Sequence, residues 1–178
     1  MRRRVLVTGA SGGVGRFAVQ LASRAGAHVT GVVGSPERGE GVRELGAEEI
    51  VVGLDDEGEG FDLILESAGG ASLAAALARI ASGGTIVSFG NSSREATTFD
   101  VSGFYGRATG ARLYAFLIFD ELAREGSGAA DLTLLAELVA EDALDPQISL
   151  EAGWRESTEA IEALLQRRVA GKAVLHVD

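Results

Sequence analysis

The chain has 178 residues, of which 46% are hydrophobic and 24% are charged. These proportions are typical of one globular domain and exclude wholesale disorder. Sixteen basic and 26 acidic residues give a formal net charge of −10, which argues against nucleic acid as a partner. The apolar stretch 5–7 is too short for a signal peptide, and no apolar run approaches the length of a membrane span. The absence of cysteine excludes disulfides and thiolate metal sites, and we expect a cytoplasmic protein that does not bind membranes.

Apolar runs of strand length alternate with amphipathic segments of helix length over residues 4–118. The runs predict strands at 4–8, 28–33, 49–52, 61–66, 85–89 and 112–118. The amphipathic segments predict helices at 13–24, 36–45 and 72–80, and a polar loop occupies 91–103. This alternation indicates an α/β fold with a doubly wound parallel sheet, the Rossmann fold, and helices on both faces.

The remaining residues, 119–178, form a tail without this strand–helix–strand rhythm. Helices are predicted at 120–125, 132–141 and 156–168, and a Gly-Ser-Gly hinge at 126–128 separates the first two. A short strand is predicted at 173–177. We therefore interpret residues 1–178 as a single dinucleotide-binding domain, with a Rossmann core at 4–118 and a helical tail that ends in a short strand.

The glycine-rich segment 9–15 lies between the first strand and the first helix. Ala10, Gly12 and Gly15 occupy the three fingerprint positions of a dinucleotide-binding turn. Gly12 lets the backbone approach a pyrophosphate, and Gly15 lets the helix pack closely on the strand. The N–H groups around Gly13 and Val14, at the positive end of the helix, would hold the anion. The alternative is a tight strand-to-helix turn that binds nothing.

Two other enzyme classes share a glycine-rich first turn. Residues 8–15 also match the turn of short-chain dehydrogenases, a resemblance that implies a catalytic Tyr-x-x-x-Lys. The only lysine is Lys172, and the residue four positions before it is an arginine, so that chemistry is missing. A methyltransferase would need an acidic residue at the end of the second strand, where the sequence has Val33-Gly34-Ser35.

A series of six segments resembles the cofactor domain of the medium-chain dehydrogenase/reductase superfamily, in its zinc-free NADPH:quinone oxidoreductase branch. The segments run in order along the chain, at 10–15, 18–22, 43–47, 61–70, 84–91 and 171–175. The resemblance implies a metal-free oxidoreductase that uses NADP(H) and transfers hydride to a small-molecule acceptor, a quinone or an enone. No catalytic side chain is assigned, because the nicotinamide carries out the hydride chemistry.

The resemblance also implies that Phe89, Gly90 and Asn91 border the nicotinamide. Ligands of doubly wound sheets lie at the carboxyl ends of the strands, which agrees with this assignment. Ser67, at the end of another predicted strand, is a further candidate for the same crevice. It could equally cap the turn before Gly69.

The end of the second strand predicts NADPH rather than NADH. A domain that binds NAD places a carboxylate about 20 residues after the glycine turn, where this sequence has Gly34 and Ser35. Ser35 and Pro36 suit the start of a helix. The 2′-phosphate would then meet the Ser35 hydroxyl, open helix N–H groups and the Arg38 guanidinium, a role that the resemblance also gives to position 38. Glu37 opposes this interpretation, either by repelling the phosphate or by pairing with Arg38.

Members of the resembled family carry a GroES-like catalytic domain before the first Rossmann strand, and here the chain begins at that strand. Strands near 147–150 and 173–177 would, by resemblance, belong to the sheet of that domain. The chain is then an excised domain, a natural truncation, or one of two chains that together form the enzyme. We expect it to bind cofactor but to turn over poorly on its own, or to be a binding module without turnover. The predicted edge strand 112–118 favours a two-fold homodimer, which the resemblance also implies.

Overall fold

The computed structural model describes residues 2–166 and 168–177. Its main sheet has six parallel strands in the order β3-β2-β1-β4-β5-β6. The strands are β1 (Arg4–Val7), β2 (His28–Val33), β3 (Glu49–Val52), β4 (Phe61–Glu66), β5 (Ile80–Ser88) and β6 (Arg112–Ala115). This is the strand order of a doubly wound dinucleotide-binding sheet, and the predicted fold class is confirmed.

Five helices accompany the strands within the described residues: α1 (Gly13–Arg24), α2 (Gly70–Arg79), α3 (Ile118–Glu125), α4 (Ala129–Ala140) and α5 (Ser157–Leu165). Three short 3-10 turns lie at Pro36–Gly39, Val101–Phe104 and Trp154–Glu156. None of the helices in the described ranges is long and apolar enough to cross a membrane.

The central strands are buried on both faces of the sheet. Val5 and Val7 of β1 belong to the apolar cluster that includes Val19 of α1. Leu6, between them in sequence, belongs to the cluster on the other face, with Ala76 of α2. Successive side chains of a strand point to opposite faces, so a short apolar run such as 5–7 supplies both cores at once.

The helix predicted at 36–45 is wrong. The structure has a 3-10 turn at Pro36–Gly39 followed by further turns up to Gly46. Gly41 has a φ of +74°, which a right-handed helix does not contain, and a Cβ at Gly39 would lie 2.9 Å from Ile50 Cγ2. Val42 is still fully buried under the sheet, which explains the apolar periodicity that suggested a helix.

Strand bounds differ from the prediction at the side of the sheet formed by β5 and β6. β5 begins at Ile80, directly after α2, and its register with β4 shifts between Phe61 and Leu63. The predicted strand 112–118 ends at Ala115, and α3 begins at Ile118. Acidic residues in the first turn of α3 interact favourably with the positive helix terminus, which favours a helix where apolar content alone suggested a strand.

The tail does contain a strand–helix–strand unit, contrary to the prediction. β7 (Ile148–Gly153) and β8 (Lys172–His176) pair in parallel as a separate two-stranded sheet, and α5 lies between them in sequence. The prediction recognised α5 but extended it to 168, a span that includes residue 167, which lies outside the described residues. The strand that the resemblance implies near 147–150 begins at Ile148 and continues three residues further, to Gly153.

Candidate cofactor site

The predicted site residues lie together at the carboxyl edge of the six-stranded sheet. They follow β1, β2, β4 and β5, the strands that meet at this edge. In chain order they are Ala10, Gly12, Gly13, Val14, Gly15, Gly34, Ser35, Arg38, Ser67, Phe89, Gly90 and Asn91. β1 and β4 are neighbours at the point where the strand order reverses, which is where doubly wound sheets bind ligands.

The glycine-rich turn has the backbone that close packing requires. Gly12 is the N-cap of α1, and its amide donates to the Gly9 carbonyl over 2.9 Å. A Cβ at Gly15 would overlap the Gly9 carbonyl oxygen and lie 2.8 Å from Ala10 Cα. Only glycine at position 15 therefore lets α1 start this close to the end of β1.

The start of α1 presents amides to an anion. Within the described part of the chain, the N–H groups of Gly13 and Val14 have no hydrogen-bond acceptor. Gly12 and Val14 are both exposed, so solvent reaches the start of this helix. Free N–H groups at the positive end of a 12-residue helix suit a pyrophosphate, and the residues present fit that group.

The segment after β2 agrees only in part with the predicted phosphate contact. Arg38 Nη1 lies 4.0 Å from the position of a Cβ at Gly34, so the guanidinium is beside the end of β2. A hydrogen bond from the Ser35 hydroxyl lowers the pKa of Glu37. Glu37 does not pair with Arg38, because no ion pair of the described residues involves Arg38. Ser35 stands at the N-cap as predicted but its side chain does not cap, and the short 3-10 turn supplies no helix N-terminus. The predicted phosphate contact therefore depends on Arg38.

The ends of β1 and β4 are joined by hydrogen bonds through Ser67. Its amide donates to Thr8 Oγ1 over 2.9 Å, and its hydroxyl donates to the Thr8 carbonyl over 3.3 Å. A Cβ at Gly9 would lie 2.8 Å from Ser67 Oγ. Ser67 therefore contacts the glycine-rich turn directly, while the turn after it is held by the neighbouring Glu66.

Glu66 is a fully buried carboxylate that the sequence analysis did not single out. Its oxygens accept hydrogen bonds from the amides of Ala68 and Gly69 and from the hydroxyls of Ser72 and Thr8, over 2.9 to 3.3 Å. These donors satisfy the buried charge. A charged residue at the end of the apolar run 61–66 was the available signal.

Phe89, Gly90 and Asn91 continue from β5 beside the end of β4. The amide of Phe89 donates to the Glu66 carbonyl over 2.9 Å, and a Cβ at Gly90 would lie 2.9 Å from the Ser67 carbonyl oxygen. Asn91 Oδ1 accepts from the Ser93 hydroxyl over 3.2 Å. A substituent at Gly69, which has a φ of +72°, would overlap the Asn91 amide. The two loops thus form one wall of the crevice.

The structure also brings the tail to the glycine-rich turn, which the sequence did not predict. Lys172 Nζ donates to the Gly13 carbonyl over 3.2 Å and lies 3.5 Å from the centre of the Phe17 ring. Partial burial lowers the pKa of this lysine, and the charge of Asp145 opposes that shift. The one feature of the sequence that could have drawn attention to Lys172 is that it is the only lysine of the chain.

Outside this edge of the sheet, the described residues offer neither a metal site nor a cavity lined by the predicted site residues. The described residues contain no group of three or more His, Cys, Asp or Glu side chains that could hold a metal. A cavity of about 760 Å³ lies along α2 between Leu54 and Phe104, and none of the predicted site residues lines it. It accompanies the short β3–β4 connection, residues 53–60, which contains no helix to cover this face.

The fold and the turn define a dinucleotide-binding domain, and comparison with known proteins identifies its family. The profile of the zinc-binding dehydrogenase family matches residues 13–137. The chain therefore belongs to the zinc-binding dehydrogenase family, and the resemblance to the cofactor domain of the medium-chain dehydrogenase/reductase superfamily is confirmed.

Three similar proteins illustrate the range of this family. NAD(P)H oxidoreductase RTN4IP1, mitochondrial, of Mus musculus is 44% identical over 77 residues, or 39% of this chain and 19% of that protein. Acryloyl-coenzyme A reductase of Metallosphaera sedula is 29% identical over 178 residues, or 96% of this chain and 50% of that protein. The yhdH oxidoreductase of Salmonella enterica, solved in complex with NADP, has 25% identity and a TM-score of 0.80, covering 99% of this chain and 55% of that one. The chain thus spans about half or less of these proteins.

Proposed function

We propose that this chain is the NADP(H)-binding domain of a zinc-independent oxidoreductase. The observation that carries the proposal is that two groups suited to the phosphates of the cofactor lie at the same edge of the sheet. The open amides of Gly13 and Val14 suit the pyrophosphate, and Arg38, beside Gly34 and outside any ion pair of the described residues, suits the 2′-phosphate. Both relatives are named as reductases or oxidoreductases, and the Salmonella neighbour holds NADP, which supports the choice of cofactor.

The division of labour follows from what each group can do. The nicotinamide, when bound, supplies the hydride. The glycine-rich turn would hold the pyrophosphate, and the wall formed by Ser67 and 89–91 would limit where the ring lies. No acid is required of the protein if solvent delivers the proton, so the lack of an assigned catalytic side chain is compatible with hydride transfer to a quinone or an enone.

Turnover by this chain alone should be slow. Correct positioning of the reacting groups contributes about 7–11 kcal/mol in well-oriented reactions. The residues that the resemblance places beside the nicotinamide lie on one side of the crevice, at the ends of β4 and β5, and we expect an acceptor to be held weakly there. The second candidate function, a cofactor-binding module without turnover, rests on the same observation.

The test is NADPH oxidation by this chain with a quinone and, separately, with an α,β-unsaturated ketone. We expect NADPH binding in a titration, with rates at least about a hundredfold below those of a full-length relative assayed alongside. NADPH binding with no oxidation by any acceptor would favour the binding module. Rates equal to those of the full-length relative would show that one wall suffices, and absence of NADPH binding would overturn the proposal.

We further propose that the chain forms a two-fold homodimer through β6. All four residues of β6 are exposed, and its outer edge faces no strand of the described chain. An uncovered edge strand presents unpaired backbone groups that favour pairing with another copy.

A further inference from the structure

Arg16 is a buried cation on the first turns of α1, and its partners are unusual. Only 7% of the residue is exposed, yet no carboxylate of the described residues forms an ion pair with it. Its guanidinium donates instead to Ser11 O over 3.1 Å, to Glu40 O over 3.4 Å and to Gln147 Oε1 over 2.5 Å. A buried charge without a counter-charge is costly, so a side chain in this state calls for an explanation.

The three acceptors belong to three parts of the chain that are far apart in sequence. Ser11 lies in the glycine-rich turn, Glu40 follows the segment that carries Arg38, and Gln147 directly precedes β7 of the tail. Each acceptor binds a different nitrogen of the planar guanidinium, whereas the three donors of a lysine share a single nitrogen. Arg16 therefore fixes the turn, the loop after β2 and the tail relative to one another.

Further hydrogen bonds between the tail and α1 lie one turn along this helix. Gln20, one turn after Arg16, donates to the Asp145 carbonyl over 3.0 Å and accepts from the Asp145 amide over 2.8 Å. The Gln147 carbonyl accepts from the amide of Lys172 over 2.8 Å, and Lys172 in turn donates to Gly13. The tail thus reaches the glycine-rich turn from the end of its two-stranded sheet at which both parallel strands begin, and Arg16 and Lys172 carry positive charge to that turn.

We propose that Arg16 is a positioning residue through which cofactor binding and docking of the tail stabilise each other. The inference rests on the proposed function, because it needs the pyrophosphate to bind at the turn. An anion on the amides of Gly13 and Val14 offsets the cost of the buried guanidinium and orders the turn whose Ser11 carbonyl it holds. By linkage, whatever the docked tail adds to cofactor affinity, the cofactor adds equally to docking of the tail.

The experiment measures NADPH affinity and tail protection on the full chain. Arg16→Met removes the donors and keeps the apolar stem, and Arg16→Lys keeps the charge without the fork. Gln147→Asn shortens the side chain by one methylene, so that its amide oxygen no longer reaches the Arg16 guanidinium. Asparagine tolerates the φ of +57° at this position. Arg24→Met, which removes an exposed arginine from the last turn of the same helix, is the matched control.

We expect Arg16→Met and Arg16→Lys each to weaken NADPH and NADH binding by about 5- to 150-fold, with an unchanged ratio between the two cofactors. Gln147→Asn should weaken binding in the same way, and the double variant with Arg16→Met should be no worse than Arg16→Met alone. Saturating NADPH should slow amide exchange at 148–153 and 172–176 in the unaltered chain but not in Gln147→Asn. Arg24→Met should behave as the unaltered chain.

The outcomes separate this inference from the proposed function. If the unaltered chain does not bind NADPH, both are overturned. If it binds NADPH but Gln147→Asn binds equally well, or if the effects of Arg16→Met and Gln147→Asn multiply in the double variant, only the inference is overturned. Full affinity in Arg16→Lys would mean that charge alone acts and would also overturn it. Should Arg16→Met fail to fold, Gln147→Asn and the exchange measurement still decide.

Discussion

The sheet region over residues 4–111, which contains strands β1 to β5, and the C-terminal region over 112–177, which contains the edge strand β6 and the tail, differ in where their apolar side chains lie. In the described part of the sheet region, strands β1, β2 and β4 and helices α1 and α2 contribute to two buried apolar clusters, and Leu6 and Val7 are fully buried. In the C-terminal region most large apolar side chains are exposed, among them Phe119 at 75% and Leu132 at 68%. The first region completes its own core, whereas the second carries an apolar surface of the kind that marks contact with another chain or domain.

The largest expected effect lies in the sheet region, at Gly15. Gly15→Val should abolish measurable cofactor binding, because its Cβ would overlap the Gly9 carbonyl and push α1 away from the turn. A displacement of about 1 Å in such a site costs on the order of a hundredfold. Gly153→Ala, in the tail, has a φ of −73° and only an ordinary contact with Glu156, and is the control in the same titration. Unchanged affinity in Gly15→Val would contradict the assigned site.

The next prediction concerns the exposed edge of the C-terminal region. Leu113→Lys should convert a dimer into a monomer, seen by light scattering as a fall from twice the chain mass to the chain mass, because edge lysines oppose strand pairing. Val52→Lys places the same change at an exposed residue of β3, at the opposite edge of the sheet, and should leave the mass unaltered. A monomeric unaltered chain, or equal effects of both variants, would count against the proposed interface.

A moderate effect is expected for Glu66→Gln. With the amide oxygen in the place of Oε1, the amide NH2 would replace Oε2 and face the N–H of Gly69, so that two buried donors point at each other. We expect a loss of about 2 kcal/mol in the free energy of unfolding, measured in urea. Glu44→Gln, at an exposed position, should change nothing. Equal stability of the two variants would mean that the carboxylate is dispensable.

The smallest effect is expected at the rim of the sheet, where Glu48 meets Arg2. A hydrogen bond from Arg2 lowers the pKa of Glu48, so the contact stabilises the fold above the unfolded pKa and is lost as the pH falls through the folded one. Glu48→Gln should therefore lower the melting temperature slightly at pH 7, and the difference should disappear as the pH falls through the lowered pKa of Glu48. Glu44→Gln again serves as the control, and a difference that persists in acid would point to another cause.

The sequence predicts the sheet region well because its signals are local. The strands 28–33, 49–52 and 61–66 and the helix 13–24 have their predicted bounds, since apolar runs and the glycine turn mark them directly. The failure at 36–45 shows the limit of periodicity. Buried Val42 and half-buried Leu45 mimic a helix face, while the backbone at Gly41 follows a turn.

The contacts of the C-terminal region could not be predicted in the same way. Arg16 and Gln147 are separated by 131 residues, and neither belongs to a motif. Lys172 gave a signal only by its rarity, and its partner is a backbone carbonyl that any residue could supply. Such contacts depend on how two elements dock, which no short pattern records.

The most direct test of the central claim is the affinity of the chain for NADPH and for NADH, measured by calorimetry on the unaltered protein and on Arg38→Ala. We predict tighter binding of NADPH, and a loss of about 10- to 150-fold for NADPH alone in Arg38→Ala, since a charge-assisted contact to the 2′-phosphate disappears. Arg24→Ala should bind both cofactors as the unaltered chain does. Equal affinity of the unaltered chain for both cofactors, or unchanged NADPH affinity in Arg38→Ala, would contradict the assignment.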